Sequence, residues 1–217
     1  MQTRGDFLAT AGLLTALSPG TAPAATPAAS PAGDALPPGF TMNGFVAAVA
    51  TRAAYKHLVA CITDAEDALG AVRSTLIAYG QVGVLPAEVQ PQITLYHGKA
   101  VLCAFDDEVW NRYVLPTNSG PPFKEKSKSG NPLLKRQGGE RDSSMPALVD
   151  AANVHFFACN LAAHGWAKSF AKKLHLSESD VYDEMVARLV PNAMLVPAGV
   201  WAIQNIVARG YTLLQYA

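Results

Sequence analysis

Short apolar runs alternate with longer segments of helical period along most of this chain, and that alternation restricts the folds open to it. The runs "KHLVACI" (56–62), "PQITLYHG" (91–98), "NVHFFAC" (153–159), "NAMLVPAG" (192–199) and "YTLLQYA" (211–217) read as strands. Between them lie helical segments. "AEDALGAVRSTLIAYGQ" (65–81) places Leu69, Val72, Leu76 and Tyr79 on one face, with Asp64 positioned as its cap. "DDEVWNRYV" (106–114), "MPALVDAA" (145–152), "NLAAHGWAKSFAKKL" (160–174), "SESDVYDEMVARLV" (177–190, Ser177 as cap) and "VWAIQNIVAR" (200–209, stopped by Gly210) follow the same logic. Strands separated by helices pair in parallel through crossovers. The runs are apolar on both faces, as a sheet covered on both sides requires. The expectation is a three-layer α/β/α domain over 40–217, with a mainly parallel sheet of about five strands.

The segments outside that pattern read differently. Residues 1–24 have a short polar start with Arg4, an apolar stretch from Phe7 to Leu17, and Ala22-Pro23-Ala24 as a small-x-small cleavage pattern. That is the layout of a secretory signal, and it predicts a periplasmic or exported protein. "TRGDFLATAG" also resembles a twin-arginine export motif whose second arginine has become Gly5. Residues 25–39 are rich in Pro and Ala and read as a linker. Residues 116–143 are polar, locally basic and rich in Gly and Pro, and read as an inserted surface loop.

Lys plus Arg and Asp plus Glu number 17 each, so nothing marks a general nucleic-acid binder. No apolar run approaches the roughly 20 residues that span a bilayer. There is no P-loop and no GxGxxG after a strand, and no cofactor is indicated. Three cysteines (Cys61, Cys103, Cys159) are too few for a disulfide framework, and none lies in a CxxC motif. His57-x3-Cys61 and His155-x3-Cys159 look like metal pairs. On a strand, however, residues four apart stand about 13 Å apart, so no metal site is expected.

In open parallel sheets, ligands bind beyond the carboxyl ends of the strands. Those ends carry Cys61 to Asp64, Tyr96-His97-Gly98, Cys159-Asn160 and Pro197-Ala198-Gly199. Cys159 closes a strand just before a helix, where the partial positive charge of the helix N-terminus favours thiolate over thiol. The plainer reading is a packed core cysteine beside Phe156 and Phe157, and position alone favours it. His97 reads either as an acid/base or orienting group, or as a strand-end histidine bonded to a backbone carbonyl. Asn160, Gly98, Pro197 and Gly199 are candidate ligand-binding positions. A Cys61–Cys159 disulfide is conceivable if their strands are adjacent. His164 and Lys168 share a solvated helix face, Cys103 reads as core, and Trp110, Trp166 and Trp201 read as packing residues.

The segments "VHFFACNLAAHGWAKSFAKKL", "LVPNAMLVPAGVWAIQNIVARGYTLLQY", "ITLYHGKAV" and "GNPLL" together resemble the DsrE-like proteins of sulfur metabolism, in particular their exported subgroup. The resemblance covers roughly 56–217. It implies a flavodoxin-like domain that assembles as a trimer or hexamer. It also implies a persulfide-carrying role for Cys159 between donor and acceptor proteins. Two functions are therefore expected as alternatives. One is a sulfur carrier or sulfur-compound-handling protein using Cys159; the other is a non-enzymatic periplasmic ligand-binding or assembly module in which that cysteine is inert.

Overall fold

The computed structural model describes residues 36–62, 64–121 and 127–216. Residues 1–24, expected as a secretory signal, and residues 25–35 of the expected linker lie outside the described residues. Residues 37–40 make a turn closed by the Phe40 N–H donating to the Pro37 carbonyl at 3.0 Å.

Five strands form one sheet: β1 (Tyr55–Cys61), β2 (Val89–Leu95), β3 (Phe156–Cys159), β4 (Ala193–Val196) and β5 (Thr212–Tyr216). Every pairing is parallel, and the order is β4-β3-β2-β1-β5. The helices are α1 (Met42–Val49), α2 (Ala65–Gln81), α3 (Asp107–Val109, running into a π turn at Trp110–Val114), α4 (Met145–Ala152), α5 (Asn160–Leu174), α6 (Glu178–Ala187) and α7 (Gly199–Val207). The expected α/β/α domain is what the chain forms. Its layering is flavodoxin-like, with one strand set beyond β1. Here that strand is the last in sequence, whereas flavodoxin places its second strand there.

The handedness of crossovers explains the layers. The chain steps β1→β2→β3→β4 in one direction, so right-handed connections put α2, α4, α5 and α6 on one face. The step from β4 back across the sheet to β5 runs the other way, so α7 falls on the opposite face with α1. The core divides accordingly. Val59, Ile93, Leu95, Phe156 and Ala158 pack under α2, α5 and α6 with Leu69, Val72, Phe170 and Met185. Leu58, Phe157 and Val196 pack under α1 and α7 with Phe45, Val49, Ala202 and Ile206. Successive strand residues alternate between the two clusters, as the period of two demands.

α1 is an element the strand and helix pattern did not reveal. Its local signals are Thr41, whose Oγ1 accepts from the Gly44 N–H at 3.0 Å, and the Phe45/Val49 spacing on the buried face. It is held by an aromatic cluster: Phe45 meets Phe157 at 5.4 Å and Trp201 at 4.8 Å between ring centroids. Buried Gln92 on β2 completes the attachment, donating to the Ala48 carbonyl at 3.2 Å and accepting from the His155 N–H at 2.8 Å.

The described part of the 116–143 segment is less of a free surface loop than its composition suggests. Asn131 is fully buried and donates to the carbonyls of Cys103 (2.9 Å) and Phe105 (2.8 Å). Its own N–H donates to Asp107 Oδ1 at 2.7 Å. The neighbouring Gly130 sits at φ +64°, and a Cβ there would collide with the Asp107 side chain. One side-chain amide thus ties the segment to the core, which composition does not disclose.

Candidate functional site

α5 leaves β3 on one face of the sheet, and α7 leaves the adjacent β4 on the other. Adjacent strands whose helices diverge in this way leave a crevice at their carboxyl ends. A cleft of about 640 Å³ lies there, lined by residues following β2, β3 and β4. Tyr96, His97 and Gly98 come from the end of β2. Cys159, Leu161, Ala162, Gly165, Trp166 and Ser169 come from the start and one stripe of α5, and Ala198, Gly199 and Val200 from the start of α7.

Of the expected site residues, the cleft gathers Cys159, His97, Gly98 and Gly199. Asn160 and Pro197 are not among its walls. Asn160 is buried the other way, where its Oδ1 accepts from the Tyr182 hydroxyl at 2.5 Å and joins α5 to α6. Tyr182 in turn stacks on His164 at 3.7 Å between centroids, so that exposed histidine has a packing partner.

Cys159 occupies the N-cap position of α5, and its side chain caps no N–H of the first turn. It is 6% exposed, and its thiol is free of any disulfide. The N-cap of α7 is Ala198, which has no capping side chain to offer. The first turns of both helices therefore bring N–H groups without side-chain caps to the cleft.

The other two thiols stand apart. Cys61 is fully buried, and desolvation, reinforced by the charge of Asp64, pushes its thiol up to about 12. Cys103, equally buried, is raised well above the ordinary thiol range, first by desolvation and then by Cys61 and Asp64. The Cys61–Cys159 disulfide is ruled out by strand order: β2 lies between β1 and β3. Two strand spacings come to about 9.6 Å, beyond the roughly 7 Å limit for a bridged Cα pair. All three cysteines are free.

His97 is exposed, and its ring stacks on Tyr96 at 5.8 Å. Among the described residues it makes no side-chain hydrogen bond, so no backbone carbonyl anchors it. Gly98 has φ +52°, and its carbonyl accepts from Trp166 Nε1 at 2.8 Å. Trp166 was expected only to pack; it also pins the His97-Gly98 turn and forms a cleft wall. Gly199 is a steric necessity, since a Cβ there would fall 2.7 Å from Tyr96 Cα and nearer still to its Cβ. Leu161, Ala162, Gly165, Trp166, Ser169 and Val200 line the cleft without having been marked as site residues by their place in the strand pattern. The available signal was helical spacing, because 161, 165 and 169 recur every four residues after the cysteine.

Among the described residues no group of three His, Cys, Asp or Glu is placed to hold a metal ion. His57 and Cys61 lie on β1, and His57 Nε2 instead meets the Tyr79 hydroxyl at 3.0 Å. No helix among the described residues is long and apolar enough to cross a membrane.

No family model matches the chain, and no curated protein matches it. Among solved structures it is similar to a protein of unknown function, MTH1491, from Methanobacterium thermoautotrophicum. The match has 12% identity, covers 75% of this chain and 99% of that one, and has a TM-score of 0.34.

Proposed function

We propose that this chain is an exported, DsrE-like sulfur-handling protein that carries sulfane sulfur as a persulfide on Cys159. The observation that carries the reading is the distribution of the thiols. Of the three, Cys159 alone lines the cleft, while burial holds Cys61 and Cys103 in their protonated form. The cleft sits at the divergence of two crossovers, where α/β sheets bind their ligands. The starts of α5 and α7 bring N–H groups without side-chain caps to the same cleft. His97, exposed at the rim, is the candidate proton carrier or orienting group.

Assembly into a trimer or hexamer belongs to the same proposal. Its structural support is β5, a sheet-edge strand on which Leu213 is 41% exposed. Donor and acceptor proteins would then meet the assembled form.

The second reading, a ligand-binding module with an inert cysteine, draws on the 6% exposure of Cys159. One experiment separates the two. The full-length protein and Cys159→Ser are incubated with inorganic polysulfide or thiosulfate and analysed by intact and peptide mass spectrometry. The carrier reading expects one added sulfur atom on the Cys159 peptide and none in the variant. Loading that is absent, or unchanged by the substitution, leaves the binding-module reading standing.

A further inference from the structure

The cleft is far larger than the sulfur atom it would pass on. Its volume of about 640 Å³ lies within the range, about 300–1,000 Å³, that encloses a whole small organic molecule. Hydrosulfide or thiosulfate would leave most of it to water. Its walls are mostly apolar or aromatic, with Leu161 on α5 and Val200 on α7, each 51% exposed, and the rings of Trp166 and Tyr96. Among the described residues no Lys, Arg, Asp or Glu lines it. A ligand with several charges would lose hydration there without countercharge. Its polar groups are the Cys159 thiol, the His97 imidazole, the Ser169 hydroxyl and the N–H groups at the first turns of α5 and α7. Gly165, in the middle of α5, keeps the wall low: a Cβ there would meet nothing within 4 Å.

We infer that the cleft takes a low-molecular-weight organic persulfide with an apolar or aromatic body and at most one further charge, and that this compound is the direct sulfur donor to Cys159. The inference rests on the sulfur-carrier reading and names its substrate class. The body lies against Leu161, Trp166 and Val200, and the sulfur end reaches Cys159. The Cys159 sulfur attacks the outer sulfur of R–S–SH. The donor's S–S bond breaks as the new S–S bond forms. The organic thiolate leaves with the electron pair and takes up the proton released by Cys159. The balance is Cys159–SH + R–S–SH → Cys159–S–SH + R–SH, with no net oxidation and no further reactant. The N–H groups of the two helix starts stabilise the negative charge that passes between sulfur atoms.

The test compares benzyl persulfide, released in place from an acylated precursor, with sodium polysulfide at equal sulfane sulfur. Sulfur addition to the full-length protein is followed by intact mass, and each rate is divided by that of free cysteine with the same donor. A fitted apolar body is worth about ten- to a hundredfold in such discrimination, so the corrected ratio should favour benzyl persulfide by about that factor. Gly165→Leu fills the cleft from a helix position that tolerates leucine, and should reduce the ratio to below about threefold. Val200→Asp, in an exposed first turn that accepts an acid, should reduce it similarly. Equal corrected rates in the wild type, or a ratio unmoved by both substitutions, overturn the inference and leave the carrier reading intact. Absence of loading on Cys159 from either donor overturns both.

Discussion

Two glycines of the cleft should respond to the same substitution with opposite signs. At Gly199, the first residue of α7, an added Cβ would lie 2.7 Å from Tyr96 Cα and 2.9 Å from its Cδ2. Reaching an ordinary contact of 3.4 Å from that Cα requires α7 and the end of β2 to separate by at least about 0.7 Å (3.4 less 2.7), and the still closer Tyr96 Cβ requires more. The obstacle is backbone as well as side chain, so no rotamer change relieves it. Overpacking of this kind costs about 1–3 kcal/mol. For a domain of this size each kcal/mol moves Tm by about 2–4 °C, so Gly199→Ala should lower Tm by about 4–8 °C at the middle of that range. Gly165 lies inside α5, outside the positive-φ region, with open space where its Cβ would be. There alanine removes only the entropic penalty of glycine, about 0.5–1 kcal/mol, and Gly165→Ala should raise Tm by about 1–4 °C. The assay is thermal unfolding followed by circular dichroism at 222 nm, roughly the helix band. The separation at Gly199 also loosens the wall beside Cys159, so iodoacetamide should modify that thiol faster in Gly199→Ala than in the wild type. A Gly199→Ala protein that melts with the wild type refutes the close approach of α7 to Tyr96. Shifts of the same sign in both variants refute the distinction between the two glycines.

Three further outcomes are expected. Alkylation of the native protein at about pH 8 should leave Cys61 and Cys103 unmodified until denaturant is added, because burial holds both thiols protonated; peptide mapping that finds either modified in the folded state contradicts this. Asn131→Ala leaves the Cys103 and Phe105 carbonyls without their donor, and should cost about 2–4 kcal/mol, read as a lower urea midpoint at unchanged slope. Asp142 is 5% exposed; burial works against its charge, but hydrogen bonds from Ser144 and Gly138 prevail and lower its carboxyl to about 2. Its folded value lies below the unfolded one, so its contribution is complete above about pH 4 and is lost as pH falls through about 2; acid melts of Asp142→Asn that parallel the wild type over that window contradict the assignment.

The sequence alone determined what local chemistry can encode. α2 and α5 begin and end where periodicity places them, and α2 has the cap read for it, Asp64 accepting from the Asp67 N–H at 3.0 Å. All five strands were legible because a doubly covered parallel sheet requires uninterrupted apolar runs. Cys159 could be placed at a strand end before a helix, since both flanking elements are local. α1 escaped because eight residues supply few turns of pattern, and its hold comes from Phe157 and Trp201, both more than 100 residues distant.

What only the tertiary structure decided depends on contacts between segments far apart in the chain. Strand order placed β2 between β1 and β3, separating Cys61 from Cys159. It also set β4 beside β3, which makes the end of β3 the mouth of a cleft. Neighbouring residues then diverged by direction alone, Cys159 toward the cleft and Asn160 toward Tyr182. Trp166 and Gly199 took their roles from the His97-Gly98 turn and Tyr96, far away in the chain. A sequence fixes the period of each element, and through it which residues share a face. Which faces meet is settled by packing the elements together, because burial rewards contacts without regard to their separation along the chain.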